Sequence, residues 1–276
     1  MIQVASLHVY PIKSCGSTQL ARLPVDSRGP VDDRRLMIVN RDGKFLTQRT
    51  RPELARIAVR REGRQLGLEA PGMPPLTINL ERGALREVEV WRHHGPAHLA
   101  SMPAGVWLSE YLQQEVALVE CPDDMDRVAN PDWAVRTTPV SFADGYPILI
   151  LSEASVADLN KRLETPVDAM RFRPNIILRG CPPFAEDQWK TIRIGSAVID
   201  VLKPCDRCSV ITIDPESATT GKEPLATLAT FRRSAAGVLF GQNCATREPT
   251  LLETGAPVEV LEERDLEAVP RDFRLD

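Results

Sequence analysis

The sequence predicts an α+β, mostly β fold in two intimately connected parts, and three observations carry that prediction. Short runs rich in β-branched residues recur along the chain, an Asp-Gly pair separates two of them, and apolar residues fall at helical spacing in only a few places. A chain of 276 residues has the length of about two domains, and its 43% hydrophobic content is enough for sizeable cores. No apolar run is long enough to span a bilayer, so no membrane partner is expected.

Gln3–Val9 partly alternates and reads as a first strand, which Tyr10-Pro11-Ile12-Lys13-Ser14-Cys15-Gly16 breaks into a loop. The start of the chain lacks a basic segment and His8 interrupts its apolar run, so it reads as a strand and not as a signal peptide. Leu36–Val39 and Lys44–Thr47 flank Asp42-Gly43, a hairpin signal. Ile57–Val59, Leu76–Leu80 and Glu87–Trp91 continue the strand pattern, and Ala104–Gln114 places Trp107, Leu108, Tyr111 and Leu112 at helical spacing. Asp123–Arg136 is polar and contains Pro131, which suits a linker or an excursion between domains. Pro147–Leu151 opens the second part, with Ser152 as N-cap of a helix that turns Val156, Leu159 and Leu163 to one face. Ile176–Leu178 and Ile194–Leu202 read as strands, as does Val210–Ile213. Pro224 suits the first position of a helix carrying Leu225, Leu228 and Phe231. Val258–Leu261 is a closing strand, and Asp265–Asp276 a polar tail.

Six cysteines in a chain this long are too sparse for a disulfide scaffold, which points to a reducing, cytoplasmic setting. A net charge of −4 argues against a dedicated nucleic-acid binder, which is usually basic. All four histidines lie between His8 and His98, so a Cys–His dyad would need a distant part of the chain to fold back.

The chain is organised around Lys203-Pro204-Cys205-Asp206-Arg207-Cys208. Pro204 cannot continue a central strand, so the two thiols are expected on a turn between two strands, at a sheet rim. Four readings compete. A structural zinc needs four ligands, usually as two pairs, and no second pair is in sight. A redox dithiol normally precedes a helix, whereas strand residues follow here. Two ordinary core cysteines would leave Arg207 buried between them. The remaining reading is a thiolate bound to a soft metal, with the other ligands supplied by an organic cofactor that needs its own anchoring groups.

Basic and small polar residues at strand ends could provide those anchors. Arg171 and Arg173 flank Phe172 and, on an extended backbone, share a face; Lys13-Ser14 follows the first strand; Asp33-Arg34-Arg35 precedes another. Arginine forks suit phosphate oxygens, while Asn175 and Ser14 can read ring edges through hydrogen bonds. Taken singly each basic residue is a surface charge, and together they suggest an anionic ligand. Arg207 joins this set. Asp144 and Asp214 are the carboxylates placed to belong to a site, although an aspartate in a turn is commonly a turn former.

On YPIKSC (10–15), DRRLMIVN (33–40), FADGYPILILSEASVADLN (142–160), RFRPNIIL (171–178), KPCDRCSVITIDP (203–215) and LFGQN (239–243), the chain resembles the MOSC proteins (molybdenum cofactor sulfurase C-terminal domain). It looks most like the type with an N-terminal MOSC β-barrel, the amidoxime-reducing components and their bacterial YcbX-like relatives. The resemblance implies a β-barrel-like domain over 1–120, packed on a MOSC β-barrel domain with a few helices over 121–265, and a tail over 266–276. It implies a molybdenum cofactor (Mo-molybdopterin) with Cys208 as the protein ligand to the metal and Cys205 not a ligand. Arg173 and Asn175 match the family's cofactor contacts, as do Lys13, Ser14 and Arg34 from the first domain. The implied reaction is oxygen removal from N-hydroxylated small molecules of the amidoxime or hydroxylamine type. The alternative is a molybdenum cofactor carrier or sulfur carrier without reductase turnover. Two departures stand out. ESATTG between Pro215 and Lys222 is longer than the family's turn, so the loop beside the metal is expected to be shaped differently. The C-x4-C-x2-C run of a plant-type ferredoxin is absent, so electrons are expected from a separate ferredoxin- or cytochrome-type partner with its reductase.

Overall fold

A computed structural model describes residues 1–134, 136–265 and 271–275. The larger sheet has nine strands, and along its main path they run Val258–Glu263, Trp189–Ile194, Ala197–Arg207, Gly237–Thr246, Ile148–Ser152, Ile176–Arg179, Gln3–Val9 and Thr18–Leu20. All of its pairings are antiparallel except Ile148–Ser152 with Ile176–Arg179, and the crossover between those two carries the helix Glu153–Asn160. Ser152 caps that helix by accepting from Ser155 N at 3.1 Å, and Val156 and Leu159 face the core as the periodicity requires. A four-stranded sheet orders Leu36–Asn40, Val116–Glu120, His93–Ser101 and Leu85–Val90, and the helix Met102–Leu112 packs Trp107, Leu108 and Leu112 beside it. Two three-stranded sheets complete the β structure. No described helix is long and apolar enough to cross a membrane.

The chain does not divide between the sheets at a single point. Gln3–Val9 pairs with Ile176–Arg179, and Arg22–Asp26 pairs with Thr250–Glu253, so the first thirty or so residues lie in sheets built with the last half. Val4 and Leu7 accordingly share a core with Ile176, Ile192 and Val258, while Ile12 and Leu36 belong to a second core with Leu54 and Trp107. The loop Tyr10–Ser14 lies where the two cores meet.

Several expectations need correction. Pro204 lies inside a strand, Ala197–Arg207, which tolerates it because the pairing with Gly237–Thr246 slips between Val201 and Lys203 and again between Pro204 and Asp206. The apolar run at 194–202 is split by a turn at Gly195, where φ is +59°. Val210–Ile213 is not a strand: Ser209–Thr212 forms one 3₁₀ turn, with Thr212 Oγ1 donating to Ser209 O at 2.8 Å. Four apolar residues fit either state, and the argument against a redox dithiol loses the strand it relied on. The backbone at 171–173 is not extended, because Ala169–Phe172 is a 3₁₀ turn ended by Arg173 in the left-handed region. Pro224 stands just before, not within, the one-turn helix Leu225–Leu228. The Asp42-Gly43 turn forms, with Gly43 at φ +81°, where a Cβ would lie 2.4 Å from Glu87 O. Its second arm makes only isolated bridges and then leaves the sheet as a loop. Most of the polar tail at 266–276 lies outside the described residues; Phe273 packs edge-on against Trp133 with ring centroids 4.8 Å apart.

Candidate functional site

Strand ends and turns from both halves of the chain line a cleft of about 430 Å³, within the size range of small-molecule sites. Lys13 and Ser14 come from the first loop, Arg34 from the turn before Leu36–Asn40, and Gln48 and Arg49 from the loop after the Asp-Gly turn. Trp91 is at the hairpin between Leu85–Val90 and His93–Ser101, Asp144 precedes Ile148–Ser152, and Arg173 with Asn175 precedes Ile176–Arg179. Lys203, Cys205, Asp206, Arg207 and Cys208 complete this part of the lining. Ser14, Arg34, Trp91 and Arg173 all line the cleft with φ between +47° and +71°, half of the eight described non-glycine residues with positive φ. Each such conformation costs about 1–3 kcal/mol, and a concentration of them marks a place where the fold holds side chains against local preference.

At the closed end, the guanidinium carbons of Arg34 and Arg173 both lie 4.3 Å from the ring centre of Tyr10, whose hydroxyl donates to Pro174 O at 3.2 Å. Arg34 pairs with the buried Asp33 carboxylate and donates to Asn175 Oδ1 at 3.3 Å. Asn175 is 1% exposed. Its amide donates to His8 O at 3.1 Å and Asp33 Oδ1 at 3.0 Å, and its oxygen also accepts from Leu149 N at 3.1 Å. Both donors and both acceptor positions are therefore used by the protein. Asn175, expected to read a ring edge, instead fastens the first strand, the Asp33 turn and Leu149 to one another. Arg173 donates through Nη1 to Cys15 O at 2.8 Å. Burial pulls the Arg173 pKa below that of an ordinary guanidinium, and nearby Arg34 adds to the effect. Burial acts on Arg34 in the same sense and is the largest single influence, but Asp33, Tyr10 and Asp144 together outweigh it and the pKa is raised.

At the open end, Cys208 follows the Ala197–Arg207 strand and is exposed. Arg49 Nη2 is 3.6 Å from its sulfur, and the Arg49 guanidinium lies 4.7 Å from the centre of the Trp91 ring. Cys205 also lines the cleft, but its sulfur is engaged: it accepts from Arg207 Nη1 at 3.0 Å, and burial pushes its pKa up against the pull of Arg207. Arg207 also donates to Phe172 O at 2.7 Å. Lys13 is 5% exposed, donates to Phe142 O at 2.7 Å and is paired with Asp144 Oδ1. Trp91 Nε1 donates to the same oxygen at 3.1 Å. Burial works to raise the Asp144 pKa, but the Lys13 ammonium and these hydrogen bonds hold it well below the usual carboxylate range.

Two sequence candidates are not brought to the cleft. Arg171 turns away to donate to Asp214 Oδ2 at 3.0 Å. Asp214 is a turn former, its Oδ1 accepting from Glu216 N at 3.0 Å and from Ser217 N at 2.9 Å. The Ser14 backbone is in the cleft wall, its carbonyl accepting from Gln48 Nε2 at 2.6 Å. Sequence reasoning missed Arg49, Trp91 and the role of Tyr10. The available signals were a basic residue just past a hairpin turn and an aromatic residue at each of two strand ends.

The residues present fit an anionic organic cofactor carrying a soft metal. Arg173 Nη2 and Arg207 Nε are buried without any hydrogen-bond partner, so anionic oxygens in the cleft would find ready donors. Among the described residues no group of three or more His, Cys, Asp or Glu could hold a metal, so a metal at Cys208 would take its remaining ligands from the cofactor.

Residues 1–115 match the MOSC N-terminal beta barrel domain and residues 137–259 the MOSC domain. The chain is 32% identical over 279 residues to mitochondrial amidoxime-reducing component 1 of Homo sapiens, covering 94% of this chain and 82% of that protein. It is 34% identical over 278 residues to the protein of that name from Mus musculus, with the same coverage of each. To molybdenum cofactor sulfurase of Oryza sativa subsp. japonica it is 33% identical over 263 residues, 87% of this chain but 32% of that protein.

Proposed function

The chain belongs to the MOSC family, in the form that joins an N-terminal MOSC β-barrel domain to a MOSC domain, and from that premise we propose that it reduces N-hydroxylated small molecules with a molybdenum cofactor held in the cleft. The observation that carries this reading is the pairing, in one cleft, of an exposed cysteine sulfur with two guanidiniums, Arg173 and Arg207, that each keep one buried N–H without an acceptor. The names of the amidoxime-reducing relatives support the choice of substrate.

Cys208 would be the soft ligand to the metal, and Arg34, Arg173 and Arg207 would hold the pterin and its phosphate, with Lys13 and Ser14 in the same cleft lining. When bound, the cofactor supplies two-electron removal of oxygen from nitrogen. The protein's part is positioning. Tyr10 keeps two like-charged guanidiniums side by side at the closed end. Phe45 and Trp91, with ring centres 5.0 Å apart, shield the cleft wall from water. Electrons come from a separate ferredoxin- or cytochrome-type protein docking at the open end, where Cys208 and Arg49 are exposed.

The test is to make the protein in a host that synthesises the cofactor, then measure molybdenum, pterin and conversion of an amidoxime to its amidine. About one molybdenum per chain is expected, with turnover on an artificial one-electron donor and none on NADH alone. Retained cofactor without turnover on several donors replaces this reading with the carrier one. Failure to retain molybdenum overturns both.

A further inference from the structure

The cleft carries more positive charge than the fold neutralises. Its lining has six Lys or Arg side chains but only two acids, Asp144 and Asp206. Three of the six have a carboxylate partner: Lys13 pairs with Asp144, Arg34 with Asp33 and Lys203 with Asp206. The polar side-chain contacts of Arg49, Arg173 and Arg207 among the described residues go instead to sulfur and to backbone carbonyls. Arg173 and Arg207 each keep a buried N–H without an acceptor, and these are the donors offered to the cofactor. A phosphate monoester brings about two negative charges at neutral pH, which those two guanidiniums balance. The charge of a Cys208 thiolate would go to the metal it binds. Arg49 is the cation left over.

Arg49 is also held in a defined pose. Its guanidinium lies over the Trp91 ring, 4.7 Å from the ring centre, and Trp91 is itself tied down by its N–H on Asp144 at 3.1 Å. Trp91 has φ +57°, a conformation a bulky residue rarely adopts, so the fold and not local preference sets its place. On the chain side, Gln48 is 5% exposed and donates to Ser14 O at 2.6 Å, and Arg49 N donates to Thr47 Oγ1 at 3.2 Å. A guanidinium carries its five donors in its own plane, so covering one face leaves the N–H edge open. The contact on that edge is a long one, Nη2 to the Cys208 sulfur at 3.6 Å, and the residue is exposed in the cleft lining. A planar fork of this kind matches the two oxygens of a carboxylate. A carboxylate bound there sits beside Cys208, where the reaction is placed.

From this arrangement we infer that Arg49 is a specificity-determining residue: its N–H edge binds a carboxylate on the substrate, so the cleft takes carboxylate-bearing molecules in preference to neutral ones of the same shape. The reacting N-hydroxyl group stays neutral, and the charge is carried elsewhere on the molecule. The inference deepens the proposed reduction and rests on it for the identity of the reacting group, but not for the carboxylate preference. Solvent weakens an exposed ion pair while fixed two-point geometry strengthens it, which sets the expected preference at about fivefold.

The experiment has two arms, both on cofactor-loaded protein at low ionic strength, where such pairs are least screened. Calorimetry compares the binding of benzoate and of benzamide. Turnover with an artificial one-electron donor compares para-carboxybenzamidoxime with its methyl ester. The native protein is expected to favour the carboxylate by about fivefold in Kd and in kcat/KM, and Arg49→Gln to lose that preference with its pterin content unchanged. Comparing two ligands within each protein cancels any change in folded fraction. A native preference below about twofold overturns the inference, and that measurement decides alone if Arg49→Gln does not fold. A preference that survives in Arg49→Gln also overturns it, and so does a loss of pterin from that variant, which would assign Arg49 to the cofactor. If benzoate is preferred while no amidoxime is turned over, the proposed function fails and this inference stands. Turnover of both amidoximes without preference has the opposite meaning.

Discussion

At its closed end the cleft is lined by Arg34, Arg173 and Asn175, whose polar atoms are mostly committed to Asp33, Tyr10 and backbone carbonyls. At its open end Cys208 and Arg49 are exposed and share one contact of 3.6 Å. The closed end joins the first strand to the middle of the chain, so the groups that would anchor a cofactor are also part of what holds the fold together. The open end carries the exposed sulfur just past a strand terminus, beside a loop, where few contacts tie it to the fold. The difference teaches that anchoring and chemistry can be perturbed separately here, and substitutions at the two ends should separate stability from activity.

The largest contrast is expected from Asp33→Ala set against Arg49→Ala. Removing Asp33, which is 3% exposed, leaves Arg34 buried without its counter-charge and should cost about 3–5 kcal/mol in urea denaturation. Arg49→Ala should stay within about 0.5 kcal/mol of the parent protein. Similar losses from both would erase the distinction between the two ends.

The next effect is on turnover. Cys208→Ser replaces the proposed soft ligand with a hard, poorly ionised group; because the outer partners of a metal site already cost up to about a hundredfold, losing such a ligand should cost at least that. Cys205→Ser should retain substantial activity, since the Cys205 sulfur is engaged by Arg207. Equal loss from both, in folded protein, would point to a dithiol mechanism or a shared metal. Smaller again is Arg173→Ala. Loss of a charge-assisted hydrogen bond worth about 1.5–3 kcal/mol should weaken cofactor retention by about tenfold or more, read as pterin content at limiting supply. Full retention would show that the closed end does not anchor.

Much of this was legible in the sequence because it depends on local chemistry. The Ser152 cap, the Asp42-Gly43 turn and the helix around Trp107 follow from short-range rules, and they formed. Cys208, Arg34 and Arg173 reached one cleft as the motif resemblance implied. What could not be read was set by tertiary context. Pro204 remains in a strand only because its partner strand permits a slipped register, and Arg171 separates from Arg173 only because the latter is left-handed. Arg49 and Trp91 meet Cys208 and Asp144 across more than fifty residues of sequence, a distance over which no spacing rule applies.

The smallest expected effect is a pH dependence that separates the open end's two charges. The folded-state pKa of Asp144 lies below the unfolded value of about 3.9, because Lys13 and Trp91 outweigh its partial burial. A depressed carboxylate contributes stability that is fully present above the unfolded pKa and is lost as pH falls through the folded one. Asp144 is 67% exposed, so solvent screening should keep its contribution at neutral pH to about 1 kcal/mol or less. Asp144→Asn should therefore be slightly less stable than the parent near pH 7, and the gap should narrow as both are taken from about pH 5 toward pH 2. Arg49→Ala, which removes no titrating carboxylate, should leave a difference that does not change over the same range. Denaturant midpoints of the three proteins at matched ionic strength provide the measurement. A gap for Asp144→Asn that stayed constant on acidification would mean the Lys13–Asp144 pair acts through packing alone, and the open end would then hold no charge that the fold itself keeps ionised.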